Sequence, residues 1–189
     1  MIELAVTTPT ASFEPRMTQA QSAAAMQYYF GSAHPKQAAE APLFEAFDID
    51  FRAHPERLRE LLYETLASRQ ADDVESLLVI ADQFGALTHE NVPVLCRLLL
   101  ADFHQRHEDI ARYLQSLRDP RSVEALFEAC FIQLPYFWDD GDALARKCTW
   151  ALHEVGTPEA FERLRALTDH PRPSVIDYAR KRLQADTQM

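Results

Sequence analysis

The chain repeats a two-helix unit near its C-terminal end. Residues 114–126, LQSLRDPRSVEAL, return 38 residues later as residues 152–164, LHEVGTPEAFERL. In each copy an apolar-striped helix ends, a short turn closes with Pro120 or Pro158, and a second striped helix begins. A period of this length that holds two helices is typical of an α-solenoid, because neither helix of a pair can bury its stripe alone. The repeat therefore predicts an all-α superhelix of antiparallel helix pairs.

Helical spacing of apolar residues continues outside the repeated unit. No stretch shows the alternation with a period of two that a half-buried strand requires, so we predict eight to ten helices and no convincing strand. The predicted N-caps are Thr18, Asp72 or Asp73, Thr88, Asp119, Asp142 and Thr157. The four glycines stand where a helix is predicted to stop or start: Gly31, Gly85, Gly141 and Gly156.

The period does not cover the whole chain. Residues 1–16 lack it and contain Pro9 and Pro15, which predicts an extended or mobile lead. Residues 17–189 are predicted to form a single helical-repeat domain, with an irregular N-terminal cap over 17–54 and stacked helix pairs over 55–189. The length of 189 residues suits one domain with a sizeable core.

The charge of the chain narrows the choice of partner. A net charge of −10 disfavours direct binding to nucleic acid, which needs a basic face, and to an anionic membrane surface. It would instead speed encounter with a basic protein. We therefore expect a protein partner, no direct contact with nucleic acid and no contact with a membrane.

Several features predict a cytoplasmic protein. The N-terminal residues lack the basic region and the long apolar core of a signal peptide. The longest apolar stretches, such as residues 77–81, are far too short to cross a bilayer. Cys96, Cys130 and Cys148 are odd in number and lie within apolar helical patterns, as buried free thiols in a reducing compartment would.

The turns between helices resemble those of a known repeat family. The chain is similar to HEAT-like helical repeats of the PBS-lyase type, best over residues 106–185. The matching residues are Asp119-Pro120 and Thr157-Pro158 in the turns, Gly156 before the second turn, and Val123, Leu126, Phe161 and Leu164 behind them. The resemblance implies an α-solenoid, and such repeats most often serve as scaffolds that hold partners.

This resemblance also implies a choice of functions. Small, acidic HEAT-like proteins commonly act as bacterial immunity proteins, whose acidic surfaces suit toxins with basic active sites. We therefore expect a non-catalytic protein-binding module, an immunity or antitoxin-type protein that binds a basic toxin domain. One alternative is an adaptor or regulatory HEAT-repeat scaffold. Another is a HEAT-like enzyme: a metal-dependent hydroxylase, a DNA-base glycosylase or a bilin lyase.

The histidines allow the hydroxylase alternative to be weighed. Deoxyhypusine hydroxylase, a HEAT-like enzyme, binds two irons through His-Glu pairs at matching places in its repeats. The pairs here are His89-Glu90, His107-Glu108 and His153-Glu154. Two stand near predicted helix starts and one at a helix end, so they are not expected to converge on one ion. His104 and His107 share a helix face but lack a third ligand.

Other catalytic signatures are absent from the sequence. It contains no Gly-x-Ser-x-Gly nucleophile motif and no glycine-rich phosphate loop. We therefore predict no enzyme, no catalytic residue, no metal and no cofactor.

Residues 134–142, LPYFWDDGD, are the most unusual segment of the chain. Three aromatic and three acidic residues lie together with no compensating base: Tyr136, Phe137, Trp138, Asp139, Asp140 and Asp142. Aromatic side chains are frequent anchors of interfaces, and carboxylates beside them suit a basic partner. We predict these six residues as a protein-binding site. The alternative is that the aromatics cover the space between repeats while the carboxylates cap the next helix.

Overall fold

Ten α-helices and no strand make up the part of the chain that the computed structural model describes, residues 17–30 and 37–186. They are α1 (Gln19–Phe30), α2 (Gln37–Phe47), α3 (Pro55–Ser68), α4 (Ala71–Phe84), α5 (Val92–Leu99), α6 (His107–Leu117), α7 (Val123–Ala129), α8 (Asp142–Val155), α9 (Pro158–Ala166) and α10 (Pro173–Asp186). The predicted all-α class is confirmed for these residues. The predicted lead over residues 1–16 and Gly31 lie outside them.

Polar side chains cap the helix starts. The Thr18 hydroxyl accepts from the backbone N–H of Gln21 at 3.2 Å, and the Gln21 side chain accepts from the Thr18 N–H at 2.9 Å. Thr88 and Asn91 form the same reciprocal capping box ahead of α5. The Thr157 hydroxyl accepts from the Ala160 N–H at 3.2 Å. These bonds satisfy amides that have no partner within the helix, and they confirm three of the predicted caps.

The predicted cap of α4 is wrong. Its N-cap residue is Gln70, in extended backbone, and Asp72 and Asp73 lie within the first turn of the helix. Carboxylates in a first turn are favoured by the positive end of the helix without serving as the cap, so their spacing alone did not distinguish the two roles.

Left-handed residues end five of the described helices, including α2, which is followed by Asp48 with a φ of 53°. The backbone φ angle is 59° at Gly85 after α4 and 69° at Gly156 after α8. Two arginines adopt the same conformation, Arg69 after α3 and Arg118 after α6. Such a residue turns the chain back sharply, which brings each following helix alongside the one before it. Arg118 therefore ends α6 in the same conformation in which Gly156 ends α8.

Contacts between helices order them into two rows. Helices α3, α5, α7 and α9 pack in succession, and so do α6, α8 and α10. Helix α4 extends the second row, because the Tyr113 hydroxyl of α6 donates to Leu78 O of α4 and Arg112 pairs with Asp82 at 3.5 Å. Across the rows α3 packs on α4, α5 on α6, α7 on α8 and α9 on α10. Every one of these helices thus buries its stripe against several neighbours.

Aliphatic side chains from both rows fill the centre of the domain. Fully buried examples are Leu77, Leu95, Leu98, Ile110, Leu114 and Leu126. The N-terminal segment adds an aromatic cluster instead. Phe84 of α4 contacts the rings of Tyr28, Phe44 and Phe51 at centroid distances of 5.6, 5.3 and 6.5 Å. Helices α1 and α2 pack on each other, and α1 also packs on α4.

A buried carboxylate joins the starts of α5 and α7. Asp119 accepts hydrogen bonds from the backbone N–H of Arg121 at 2.9 Å and from its guanidinium at 2.7 and 2.9 Å. His89 Nδ1 donates to the same carboxylate at 2.9 Å, and Arg121 donates to His89 O at 2.7 Å. The Arg121 side chain, aided by its backbone amide and by His89, holds the pKa of Asp119 well below its ordinary value. The predicted cap at Asp119 is confirmed.

Replacing Asp119 with Ala is expected to lower the free energy of unfolding by about 2 kcal/mol, at the upper end of the range for N-caps. The loss exceeds that of a simple cap because it also strips the Arg121 guanidinium of its partner. Thr157→Ala is the matched control, since it removes a cap alone, and we expect it to cost about 1 kcal/mol. Urea denaturation near neutral pH measures both, and equal losses would contradict a linking role for Asp119.

Candidate functional site: the loop between α7 and α8

Two aromatic side chains of the predicted site turn inward. The loop runs over residues 130–141. The Tyr136 hydroxyl lies 2.6 Å from His107 Nδ1, at the start of α6. Phe137 is half-buried against the core, and its ring meets the His107 ring edge-on. Both side chains therefore pin the loop to α6 and cover the space between helices.

Asp139 caps α8 from within the loop. One carboxylate oxygen accepts from the Gly141 N–H at 3.1 Å and the other from the Ala143 N–H at 2.8 Å. The predicted cap, Asp142, is wrong: Asp142 is the first residue of the helix, and Gly141 holds the N-cap position with a φ of 81°. A Cβ at Gly141 would lie 2.9 Å from Ile132 O, so glycine is required there for space as well as for backbone conformation.

Arg172, just before α10, binds both ends of the loop. Its guanidinium donates to Cys130 O at 2.6 Å, to Asp140 O, and to the Asp142 carboxylate at 3.1 Å. The Ser174 hydroxyl donates to the same Asp142 oxygen at 2.8 Å. Four of the six predicted residues, Tyr136, Phe137, Asp139 and Asp142, thus make contacts within the fold. Together these contacts hold the loop in one conformation.

Trp138 points away from this scaffold. Its side chain is 91% exposed, the largest fraction among the large apolar side chains of the described residues. Asp140, also exposed, lies two residues further on with a φ of 54°. An indole of this exposure can bury roughly 200 Å² against a partner, worth about 5 kcal/mol before the costs of association are subtracted. Trp138 and Asp140 are the two predicted site residues whose side chains the structure leaves exposed to a ligand.

Two stacked histidines lie beneath the loop. The His104 and His107 rings are 4.4 Å apart, and both side chains are buried. His104 Nε2 donates to Leu98 O at 2.9 Å while its Nδ1 accepts from the Arg106 N–H at 3.0 Å. His107 Nε2 donates to Ala101 O at 2.6 Å while its Nδ1 accepts from the Tyr136 hydroxyl. Every ring nitrogen is used, and each ring is held as the neutral Nε2–H tautomer.

Burial keeps these groups uncharged. It lowers the pKa of His104 to about 4, with a smaller contribution from His107, and it also lowers the pKa of His107. It raises the pKa of Tyr136 to about 12, so the phenol retains the proton that it donates. The spacing of the two histidines predicted a shared helix face but not their burial. Tyr136, which donates to His107, is 29 residues away from it in sequence.

The remaining candidates for chemistry in the described residues are metal-ligating side chains and cysteine thiols. No three side chains of His, Cys, Asp or Glu lie in positions to hold a metal ion there. Burial raises the pKa of Cys96 to about 11 and that of Cys148 well above its ordinary value. These thiols therefore stay protonated and are poor nucleophiles.

Comparisons of the chain with protein-family models, curated proteins and solved structures found no match. Among the helices described, none combines the length and the apolar character needed to cross a membrane.

The free energy of unfolding is expected to fall as the pH is lowered from about 7 to about 5. Histidines of the unfolded chain bind protons near pH 6.5, whereas the folded protein keeps His104 and His107 neutral to lower pH. Protons therefore favour the unfolded state throughout this range, and His104 alone accounts for about 2 kcal/mol. Urea denaturation at the two pH values measures the change.

The variant His104→Gln supplies the control for this experiment. Glutamine can still donate to Leu98 O but does not titrate, so the variant should lose less stability than the parent protein over the same pH range. A free energy of unfolding that stays constant in the parent protein would mean that the buried rings accept protons as readily as exposed ones.

Proposed function

We propose that this protein is a non-catalytic protein-binding module that grips a basic partner through Trp138 and Asp140. The observation that carries the proposal is the 91% exposure of Trp138 on a loop that Tyr136 and Asp139 hold in place. Exposed aromatic residues of this kind are frequent hot spots of interfaces.

We further propose that the two rows of helices form an α-solenoid of HEAT-like repeats. Three helix-to-helix turns support this. Each combines a left-handed stop with a polar side-chain cap: Gly85 with Thr88, Arg118 with Asp119, and Gly156 with Thr157. The first of these carries the pattern one repeat further towards the N-terminus than the duplicated sequence does. Repeats of this type present continuous surfaces to their partners.

The fixed conformation of the loop favours tight binding. Anchoring by Tyr136, Asp139 and Arg172 means that little backbone freedom is lost when a partner covers the loop. The bulk of the favourable energy then comes from desolvation of the Trp138 indole. A tryptophan side chain buries a large contact area, and only two of its torsion angles become fixed on binding.

Charge supports a basic partner. Asp140 adds an exposed carboxylate beside Trp138, and the whole chain carries a net charge of −10. Complementary charge accelerates encounter and disfavours acidic competitors. A basic toxin domain fits these requirements, so we propose an immunity or antitoxin-type protein. A partner that is instead a component of a larger assembly would assign the protein to the adaptor alternative.

Trp138→Ala is expected to weaken binding of the partner at least about 30-fold, the effect of removing a hot spot of about 2 kcal/mol. Affinity capture with the full chain, followed by mass spectrometry, identifies the partner, and calorimetric titration with that purified partner measures the loss. Asp140→Asn should act mainly on the association rate and its dependence on salt.

Two controls accompany this titration. Trp150→Phe changes the other tryptophan of the chain and should leave affinity for the partner intact. The melting temperature of Trp138→Ala should match that of the parent protein, because the side chain makes little contact with the fold. Undiminished affinity of Trp138→Ala would refute the proposed site, and a large fall in its melting temperature would assign Trp138 to packing.

A further inference from the structure

A groove of opposite charge lies on α8, the helix that follows the loop. It has a volume of about 220 Å³ between α8 and α10. The side chains that line it are Arg146, Thr149 and Trp150 of α8, with Tyr178, Lys181 and Arg182 of α10. Three of the six are cationic, in a chain that is acidic overall. We call this feature the cationic groove.

The cationic side chains of the groove are not paired with carboxylates among the described residues. Within the described residues, Arg146, Lys181 and Arg182 form no ion pair, although Lys147, the neighbour of Arg146 in α8, pairs with Glu108 at 3.0 Å. Burial lowers the pKa of Arg182. That direction is opposite to the change at Arg121, where a bound carboxylate raises the pKa. The groove therefore gathers three cationic side chains that no ion pair among the described residues neutralises.

Trp150 holds one of these cations in place. The Arg182 guanidinium lies over the Trp150 ring, 3.4 Å from its centroid. A guanidinium stacked on an aromatic face keeps the N–H donors along its edge available, and their fork matches the two oxygens of a carboxylate. Arg146 and Lys181 are exposed at the same groove and can pair with further carboxylates.

We propose that the cationic groove binds an acidic polypeptide segment. Carboxylates of that segment pair with Arg182, Arg146 and Lys181, and its apolar atoms pack beside Tyr178. A nucleic acid strand fits less well, because Arg182 already covers the Trp150 face on which a base would stack. The net charge of −10 would also repel an extended polyanion, whereas a short acidic segment places only a few charges near the groove.

The groove is a second site, distinct from the Trp138 loop. Arg146 and Trp150 follow Asp142 by one and two turns of α8, which places them about 6 and 12 Å along the helix axis. An acidic segment can therefore lie in the groove while a basic surface covers Trp138. This inference goes beyond the proposed function and does not depend on it.

Fluorescence anisotropy of a labelled glutamate-rich peptide with the full-length protein tests the proposal. We expect saturable binding at low salt that weakens as salt is added. Arg182→Gln, Arg146→Gln and Lys181→Gln should each weaken it, with Arg182→Gln giving the largest loss, about tenfold, as for a charge-assisted hydrogen bond. Trp138→Ala should leave it unchanged, which separates this site from the loop.

Arg165→Gln on α9 is the matched control, because it removes the same charge from an exposed position outside the groove. Its binding of the peptide should equal that of the parent protein. Melting temperatures show whether Arg182→Gln disturbs packing. If it does, the variants of the exposed Arg146 and Lys181 still test the proposal. No saturable binding, an equal loss in Arg165→Gln, or tighter binding of a single-stranded oligonucleotide of matched charge would each overturn the proposal.

Discussion

The helices of the two rows have apolar sides that only their neighbours can bury, and the turns between these helices follow from that constraint. A short helix such as α7 or α9 is marginal by itself in water, so it persists because it packs between others. Packing in rows requires the chain to reverse within a few residues. Left-handed stops and side-chain caps supply those reversals, and their recurrence between α4 and α9 shows that one local solution serves several positions.

If the chain reversed direction without side chains to cap the helices, buried amides and carbonyls would have no hydrogen-bond partners. Asp119 and Arg121 supply hydrogen-bond partners where α5 and α7 begin. Arg172 supplies them in the loop before α8, which is the longest connection between successive helices after α3. The stacked histidines do the same with neutral rings, which satisfy backbone carbonyls without placing a charge in the interior. The loop before α8 is held in place for these reasons, and Trp138 is its most exposed large apolar residue, at 91% against 46% for Phe131.

The helices and most of their caps could be predicted from the sequence because their causes are local. Thr157-Pro158 and Asp119-Pro120 carry their own cap and first-turn residue, so position and role follow from spacing. The predicted caps of α4 and α8 were wrong, because several carboxylates lie within a few residues of each helix start and each could serve as the cap. Asp139 reaches the first amides of α8 from three residues before Asp142, and only the path of the loop decides between them. For the same reason spacing could not tell that Tyr136 points inward and Trp138 outward, since that depends on His107 at the start of α6.

The hydrogen bonds that Arg172 makes to the loop have a consequence for biosynthesis. Its contacts reach back 32 residues to Asp140 and 42 residues to Cys130, so the loop is translated well before the side chain that fastens it. Chains fold from the N-terminus as they emerge, and the helices before α10 can pack while α10 is still absent. The loop around Trp138 therefore gains its final hydrogen bonds only after Arg172 has been translated and α10 can pack on α8.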